Sequence, residues 1–299
     1  MSNEIKNSMF KEKYTKIPNA LIKGDMELNS KELSILTLLY MTRNGKDVCI
    51  FNLQYIYDNL NIKSNNTYGK NEIKKILNLF YTDEILIYFN SIFLKDESII
   101  ENISLYDKNK IIFAELNQDI FESYTLILDH DIYKIIEYSN KYKIDVYSLI
   151  KTYMYIFSTF NYDDKSEDYL LGYPSIANIS ETINSTEETI LKYIDILREL
   201  EIFIYDYSGF KQCSNGEIKN GNMYYTKFGN DEILLNKLNK ERKEHGYIQI
   251  NKRCRDKSNL KRSLKQQINR ILKNQKSNKL SIVEQETLQL LKEKYEELN

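Results

Sequence analysis

From Asn29 onward the apolar positions fall into helical spacing. Leu33, Ile35, Leu36, Leu38, Leu39 and Tyr40 leave almost no polar side, so the helix capped by Asn29 or Ser30 is predicted to be buried all round. Asn44-Gly45 stops it. A β-prone stretch at residues 48–51 precedes a second helix from Asn52, with Leu53, Ile56 and Leu60 at i, i+3 and i+7. Beyond a polar turn at residues 61–69, a third helix carries Ile73, Ile76, Leu77 and Phe80 on one face and ends at Asp83. Residues 85–89 read as a strand, Asn90-Ser91 as a turn into a strand at 92–94, and residues 111–116 as another strand. An extended lead-in, residues 14–22, stands ahead of all this.

The order then recurs. A long helix spans residues 145–160, and an acidic loop follows at 163–168. Ser175 caps a helix with Ile176, Ile179 and Ile183 on one side. The short turn Asn184-Ser185 opens a further helix, where Ser185-Thr-Glu-Glu188 reads as a capping box and Ile190, Ile194, Leu197 and Leu200 as the buried stripe. Residues 202–207 form a strand, 208–221 a loop, and 223–226 a returning strand. Helix, helix, turn, helix, strand, loop, strand thus appears twice. That repetition predicts a mainly α chain with small β-hairpins (α+β), built as two winged helix-turn-helix domains plus a helical C-terminal tail. The expected divisions are 1–116 and 145–229 for the two domains, 117–144 for a helical connector, and 230–299 for the tail.

Charge adds a partner class. The 299 residues carry a formal net charge of −1, but residues 251–279 hold eleven Lys or Arg against the single acid Asp256. A basic run on a mildly acidic body favours a polyanionic partner. The helix expected there presents Lys261, Arg262, Lys265, Arg270 and Lys273 opposite Leu260, Leu264, Ile268, Ile271 and Leu272. The same amphipathic pattern also suits packing on the body, on a second protomer or on anionic lipid, though no aromatic residue lies on its apolar face to favour a membrane.

The second helix of a helix-turn-helix enters the DNA major groove and offers donors to base edges and phosphates. In the first block the expected reading surface is Lys63, Asn65, Asn66, Thr67 and Tyr68 of the turn with Lys70, Asn71, Lys74, Lys75 and Asn78 of the helix. In the second it is Thr186, Thr189, Lys192 and Tyr193, with Lys211 and Lys219 on the wing. Glu187 and Glu188 at the start of that helix face phosphates badly, so DNA binding and dimerisation both remain open for it.

Catalytic chemistry finds few parts. His130 and His245 stand far apart, Leu128-Asp-His-Asp131 reads better as a helix start than as a metal fragment, and no phosphate-binding Gly-x-x-x-x-Gly-Lys-Ser/Thr or Gly-x-Ser-x-Gly occurs. No enzyme, metal or cofactor is expected. Cys49, Cys213 and Cys254 are odd in number and widely spaced, against a disulfide framework. No run approaches the roughly 18 apolar residues of a membrane span, and the first residues lack the apolar core of a signal peptide. A cytoplasmic, nucleoid- or plasmid-associated location is expected.

Lys16-Ile-Pro-Asn-Ala-Leu-Ile22, Leu28-Asn-Ser-Lys-Glu-Leu-Ser-Ile-Leu36 and Arg43-Asn-Gly-Lys-Asp-Val-Cys-Ile-Phe51, leading into the reading helices, resemble replication-initiator proteins of plasmids and phages from low-GC Gram-positive bacteria. The resemblance covers about the first 90 residues. It implies paired winged helices on repeated origin sequences, a homodimer, and recruitment of host helicase-loading proteins through the C-terminal region. Phe51-Asn52 stands where such phage proteins usually carry Pro-Ser, and the basic tail is not part of the pattern. The stretches Pro174-Ser-Ile-Ala-Asn-Ile179 and Ser185-Thr-Glu-Glu-Thr-Ile190 resemble winged-helix regulators at large. A transcriptional or partition regulator is the alternative on the same physics, and a protein-interaction scaffold the alternative of another class.

Overall fold

Asn29 begins the central helix of the first block by capping it twice. In the computed structural model, which describes residues 13–24, 26–44, 47–116, 123–212 and 218–248 with isolated helical positions from 268 to 295, its side chain accepts from the Lys31 and Glu32 N–H groups at 3.0 Å. Glu32 returns a carboxylate oxygen to the Asn29 N–H at 2.9 Å. The chain enters through β1 (Tyr14–Pro18) and a short α1 (Asn19–Lys23), then runs through the capped α2 (Ser30–Met41) and β2 (Cys49–Phe51). α3 (Leu53–Asn59), α4 (Thr67–Thr82), β3 (Leu86–Phe89) and β4 (Ile112–Leu116) complete the first block. The three strands form an antiparallel sheet in the order β2-β4-β3. Residues 92–94, expected as a strand, form a turn instead: Leu94 sits at φ 50°, and β4 takes the place beside β3.

The segment expected as a helical connector starts as β5 (Tyr124–Leu128), antiparallel to β1 with Tyr14 opposite Leu128, and only then becomes α5 (Asp129–Tyr142). Its Thr125 and Ile127 point inward and Tyr124 and Leu126 outward, the period-2 pattern of a half-buried strand. Next come α6 (Val146–Ser158), α7 (Ile176–Ile183), α8 (Glu187–Glu199) and β6 (Phe203–Tyr207), then β7 (Phe210–Gln212), β8 (Ile218–Asn220), β9 (Met223–Lys227) and α9 (Asp231–His245). β6 pairs with β9, and β7 with β8, so the stretch expected as a plain loop carries its own hairpin.

Helices α2 and α6 explain why the blocks do not pack apart. Each is buried on nearly every side, more than the strands of one small sheet can cover, and they meet each other, with Thr37 Oγ1 3.4 Å from Met154 Sδ. One core cluster therefore runs from Ile17 to Tyr225. Among the described residues, those up to 207 together with 222–238 pack as one unit, and 208–212, 218–221 and 239–248 belong to another. Packing thus does not separate the chain at 116 or 145. The protein is mixed α+β, and among the described residues no helix is long and apolar enough to cross a membrane.

Five helix ends follow one device. Asn61, Glu84, Lys143, Asn184 and Glu201 all take the left-handed conformation just after a helix, with φ between 52° and 57°. In each case the next residue donates its N–H five residues back, as Ile62 does to the Tyr57 carbonyl at 2.8 Å and Ser185 to Ser180 at 2.9 Å. This Schellman closure usually employs glycine. A chain with only nine glycines uses Asn, Lys and Glu there instead.

The second sheet needs glycine for a different reason. Gly172 bridges β9 through Tyr225, with both backbone hydrogen bonds made (3.0 and 2.8 Å), and so stands beside β9 as β2 stands beside β4. A Cβ there would lie 2.5 Å from Thr159 Oγ1 and 2.7 Å from the Phe160 ring. Neither neighbour is loose: Thr159 donates to the Ile156 carbonyl at 2.6 Å, and Phe160 stacks on Phe157. Gly172→Ala should therefore lower stability by about 1–3 kcal/mol, read as a reduced urea midpoint at unchanged m-value.

Lys151, Asp129 and Asp131 are buried in the shared core. Lys151 donates to Glu27 Oε1 at 2.7 Å and to the Leu28 carbonyl at 2.8 Å. Asp129 accepts from Thr15 Oγ1 at 2.6 Å and pairs with Lys13 at 3.1 Å. Asp131 accepts from the Tyr153 hydroxyl at 3.1 Å, but burial outweighs that bond and raises its pKa. A carboxyl raised in the folded state contributes stability below its unfolded pKa and loses it as pH climbs through the folded value. Asp131→Asn, which keeps the acceptor for Tyr153, should melt higher than the parent at neutral pH. The difference should vanish under acid conditions where both carboxyls are protonated.

Candidate nucleic-acid interface

The first helix pair turns on Asn61 and Asn66. Asn61 closes α3 in the left-handed conformation, and Ile62 drops onto the core. Asn66 then caps α4, its Oδ1 accepting from the Gly69 N–H at 2.9 Å. With Gly69, Ile73, Ile76, Leu77 and Phe80 buried, helical geometry turns Thr67, Tyr68, Asn71, Lys74, Lys75 and Asn78 outward.

That outward stripe is not uniform. Lys63, Asn65, Thr67, Tyr68, Asn71 and Lys75 are exposed, and their side chains make no hydrogen bond or ion pair with other described residues. Tyr68 is 80% exposed, its ring standing in solvent between these amides and cations. Asn66 is engaged as the cap. Lys70 is half-buried, reaching back to the Ser64 carbonyl and lying over the Tyr57 ring. Lys74 donates to the Ser104 carbonyl at 2.9 Å. Asn78 donates to Ser104 Oγ at 2.9 Å and accepts from the Ile103 N–H at 2.9 Å. The stripe is therefore open at Thr67, Tyr68, Asn71 and Lys75 of α4 and fastened to the β3–β4 connection at Lys74 and Asn78. That connection brings in Lys108 and Lys110, exposed residues that the sequence pattern had not singled out because no periodicity ties them to α4. The acid of the open turns, Glu72, is paired with Lys31 at 2.7 Å.

The second helix pair is built alike but charged differently. Ser185 is not the cap of α8: Asn184 occupies the left-handed position, Ser185 completes the Schellman closure, and Thr186 becomes the N-cap, accepting from the Thr189 N–H at 3.2 Å. Glu188 is thereby released from the expected capping box and pairs with Lys192 at 3.0 Å. Thr186 and Lys192 are exposed, and Thr189 is half-buried. Tyr193 is buried at 8% exposure and cannot face a ligand. Its position explains this: at three residues after Ile190 and four before Leu197 it falls inside the apolar stripe.

In the other unit, Lys211 of β7 lies directly opposite Lys219 of β8, both exposed. Like charges across a strand pair repel, and an anion between them would remove the penalty. Lys261, Arg262, Lys265, Arg270 and Lys273 lie outside the described residues.

Other chemistry has less to build on. Burial pushes the Cys49 thiol up to about 12, which keeps it protonated at neutral pH. Asp129 and Asp131 at the start of α5 are held by Thr15, Lys13 and Tyr153. Among the described residues no three His, Cys, Asp or Glu side chains converge on a metal-sized point. Comparison of the chain with protein-family models, curated proteins and solved structures returned no match.

Proposed function

We propose that this protein binds double-stranded DNA sequence-selectively through two winged helix-turn-helix blocks and serves as the replication initiator of a plasmid or phage. The observation that carries the binding is the open stripe of Lys63, Asn65, Thr67, Tyr68, Asn71 and Lys75. Reading helices contact base edges with their N-terminal residues, and Thr67, Tyr68 and Asn71 in the first turns of α4 are uncovered. Asn can bridge adenine N6 and N7, while Lys reaches guanine or phosphate. The sheet order β2-β4-β3 behind α2, α3 and α4, and its echo in β6, β9 and Gly172, support the winged-helix reading. In the other unit, the opposed Lys211 and Lys219 favour a phosphate contact of their own.

The assignment to replication draws on the resemblance of residues 16–51, which also implies a homodimer and host helicase-loading partners. The binding is tested by titrating random-sequence duplex and duplex from the protein's own locus at several salt concentrations. A linear fall of log affinity against log salt, with a slope of about −0.9 per phosphate neutralised, is the expected result; absence of any salt-dependent complex would retire the reading. Footprints on direct repeats, together with loss of element replication when the gene is deleted, would distinguish initiation from regulation at a palindromic promoter site.

A further inference from the structure

The connection between β3 and β4 is fastened to both helices of the first pair. Ile103 is fully buried, and Ser104 receives Lys74 and Asn78 of α4 while its own N–H donates to Asn102 Oδ1 at 2.9 Å. Four residues on, the Lys108 carbonyl accepts from the Gln54 N–H in the first turn of α3 at 3.0 Å. Between these anchors Leu105 is 86% exposed and packs on no part of the core. A large apolar side chain is thus held in water at a fixed place beside the reading helix. Its anchor residues Lys74 and Asn78 lie three and seven positions after Asn71, on the same stripe of α4.

The charge around it is favourable to DNA. Lys74, Lys108 and Lys110 lie on or against this arm and outnumber the exposed Asp107, whose carboxylate accepts from the Asn109 N–H at 2.9 Å. Another exposed apolar tip of the same connection, Ile92 and Phe93, lies close to the exposed Lys95, Asp96 and Glu97, where acids outnumber the cation. In the major groove the one apolar group that base edges display is the thymine C5-methyl. We propose that Leu105 is a specificity-determining residue that packs on the methyl group of a thymine neighbouring the base faced by Asn71. This rests on the duplex-DNA reading of the first block and extends it with a base preference and a residue outside the helix pair.

Duplexes selected by the full-length protein from a random pool supply the probe. Each thymine of the selected site is replaced in turn by deoxyuridine, which lacks only the methyl group, and affinity is measured for the parent and for Leu105→Ala. One replacement should weaken the parent roughly fourfold, the worth of one buried methyl, and leave Leu105→Ala unaffected. The variant should melt like the parent, because the side chain it loses is exposed. Equal deoxyuridine penalties in both proteins, or a Leu105→Ala loss that is the same on every sequence, would overturn the proposal. So would unchanged DNA binding with a lowered oligomer mass, which would make Leu105 a protein contact. Failure of the parent to enrich any duplex would instead strike the DNA reading itself.

Discussion

Replacing Lys63 and Lys75 together by alanine should weaken binding to every duplex roughly thirtyfold at ~0.15 M salt while leaving the melting temperature unchanged. Each phosphate neutralised contributes about 0.9 to the slope of log affinity against log salt, so two contacts are worth about 1.5 decades between ~1 M and ~0.15 M. The slope itself should fall by about 2. These two lysines are the right pair because neither is engaged with another described residue. Lys74 is the wrong one to remove: its ammonium holds the Ser104 carbonyl, so its loss would loosen the arm and confuse two effects. Asn71→Ala, by contrast, should flatten the preference among sequences with little change in the salt slope, since an amide neutralises no phosphate. Unchanged titrations for both variants would remove α4 from the interface.

The second large effect concerns stability. Lys151→Ala should cost about 2–4 kcal/mol, measured as a drop in unfolding free energy in urea. The Lys151 side chain is 3% exposed and ends between Glu27 and the Leu28 carbonyl. Truncation leaves a carboxylate without its partner, a carbonyl without its donor and a space where the aliphatic stem lay. Glu27 keeps 36% of its side chain in solvent, so the figure belongs below the cost of breaking a fully buried pair. Glu27→Gln, which retains an acceptor for the buried ammonium but removes its counter-ion, should cost less than Lys151→Ala, about 1–2 kcal/mol. Comparable losses from both substitutions would mean that charge, rather than hydrogen bonding, holds Lys151 in place.

Much of the local structure is written in short-range pattern. The capping box at Asn29 and Glu32, the cap at Asn52, the buried stripe Ile73, Ile76, Leu77 and Phe80, and the end of α4 at Asp83 all follow from neighbours within one or two helical turns. Elsewhere the structure departs from local pattern. Ser185-Thr-Glu-Glu188 satisfies the box pattern, but the left-handed turn at Asn184 uses up Ser185 and moves the cap to Thr186. Tyr193 looks polar enough to face outward, yet its angular position lies within the apolar stripe. Residues 124–128 alternate like a strand, but their partner is β1, more than a hundred residues earlier, and no local window contains both.

The candidate interface divides along the same line. Local pattern fixed which side chains of α4 turn outward, because a 3.6-residue repeat and a buried stripe leave no other choice. It determined as well that these are amides and cations, and that residues 251–279 are strongly basic. Only the tertiary structure decided which of them stay available: Lys74 and Asn78 are taken by Ser104, some twenty-five to thirty residues downstream, while Lys63, Asn71 and Lys75 are left in solvent. It also decided that Leu105, Lys108 and Lys110 lie on an arm fastened to the first helix pair, and that the two helical blocks share one core through α2 and α6. The reason is physical. Helix phase is a property of adjacent residues, whereas the partner of a polar group or an apolar face is chosen by chain closure, which no local spacing encodes.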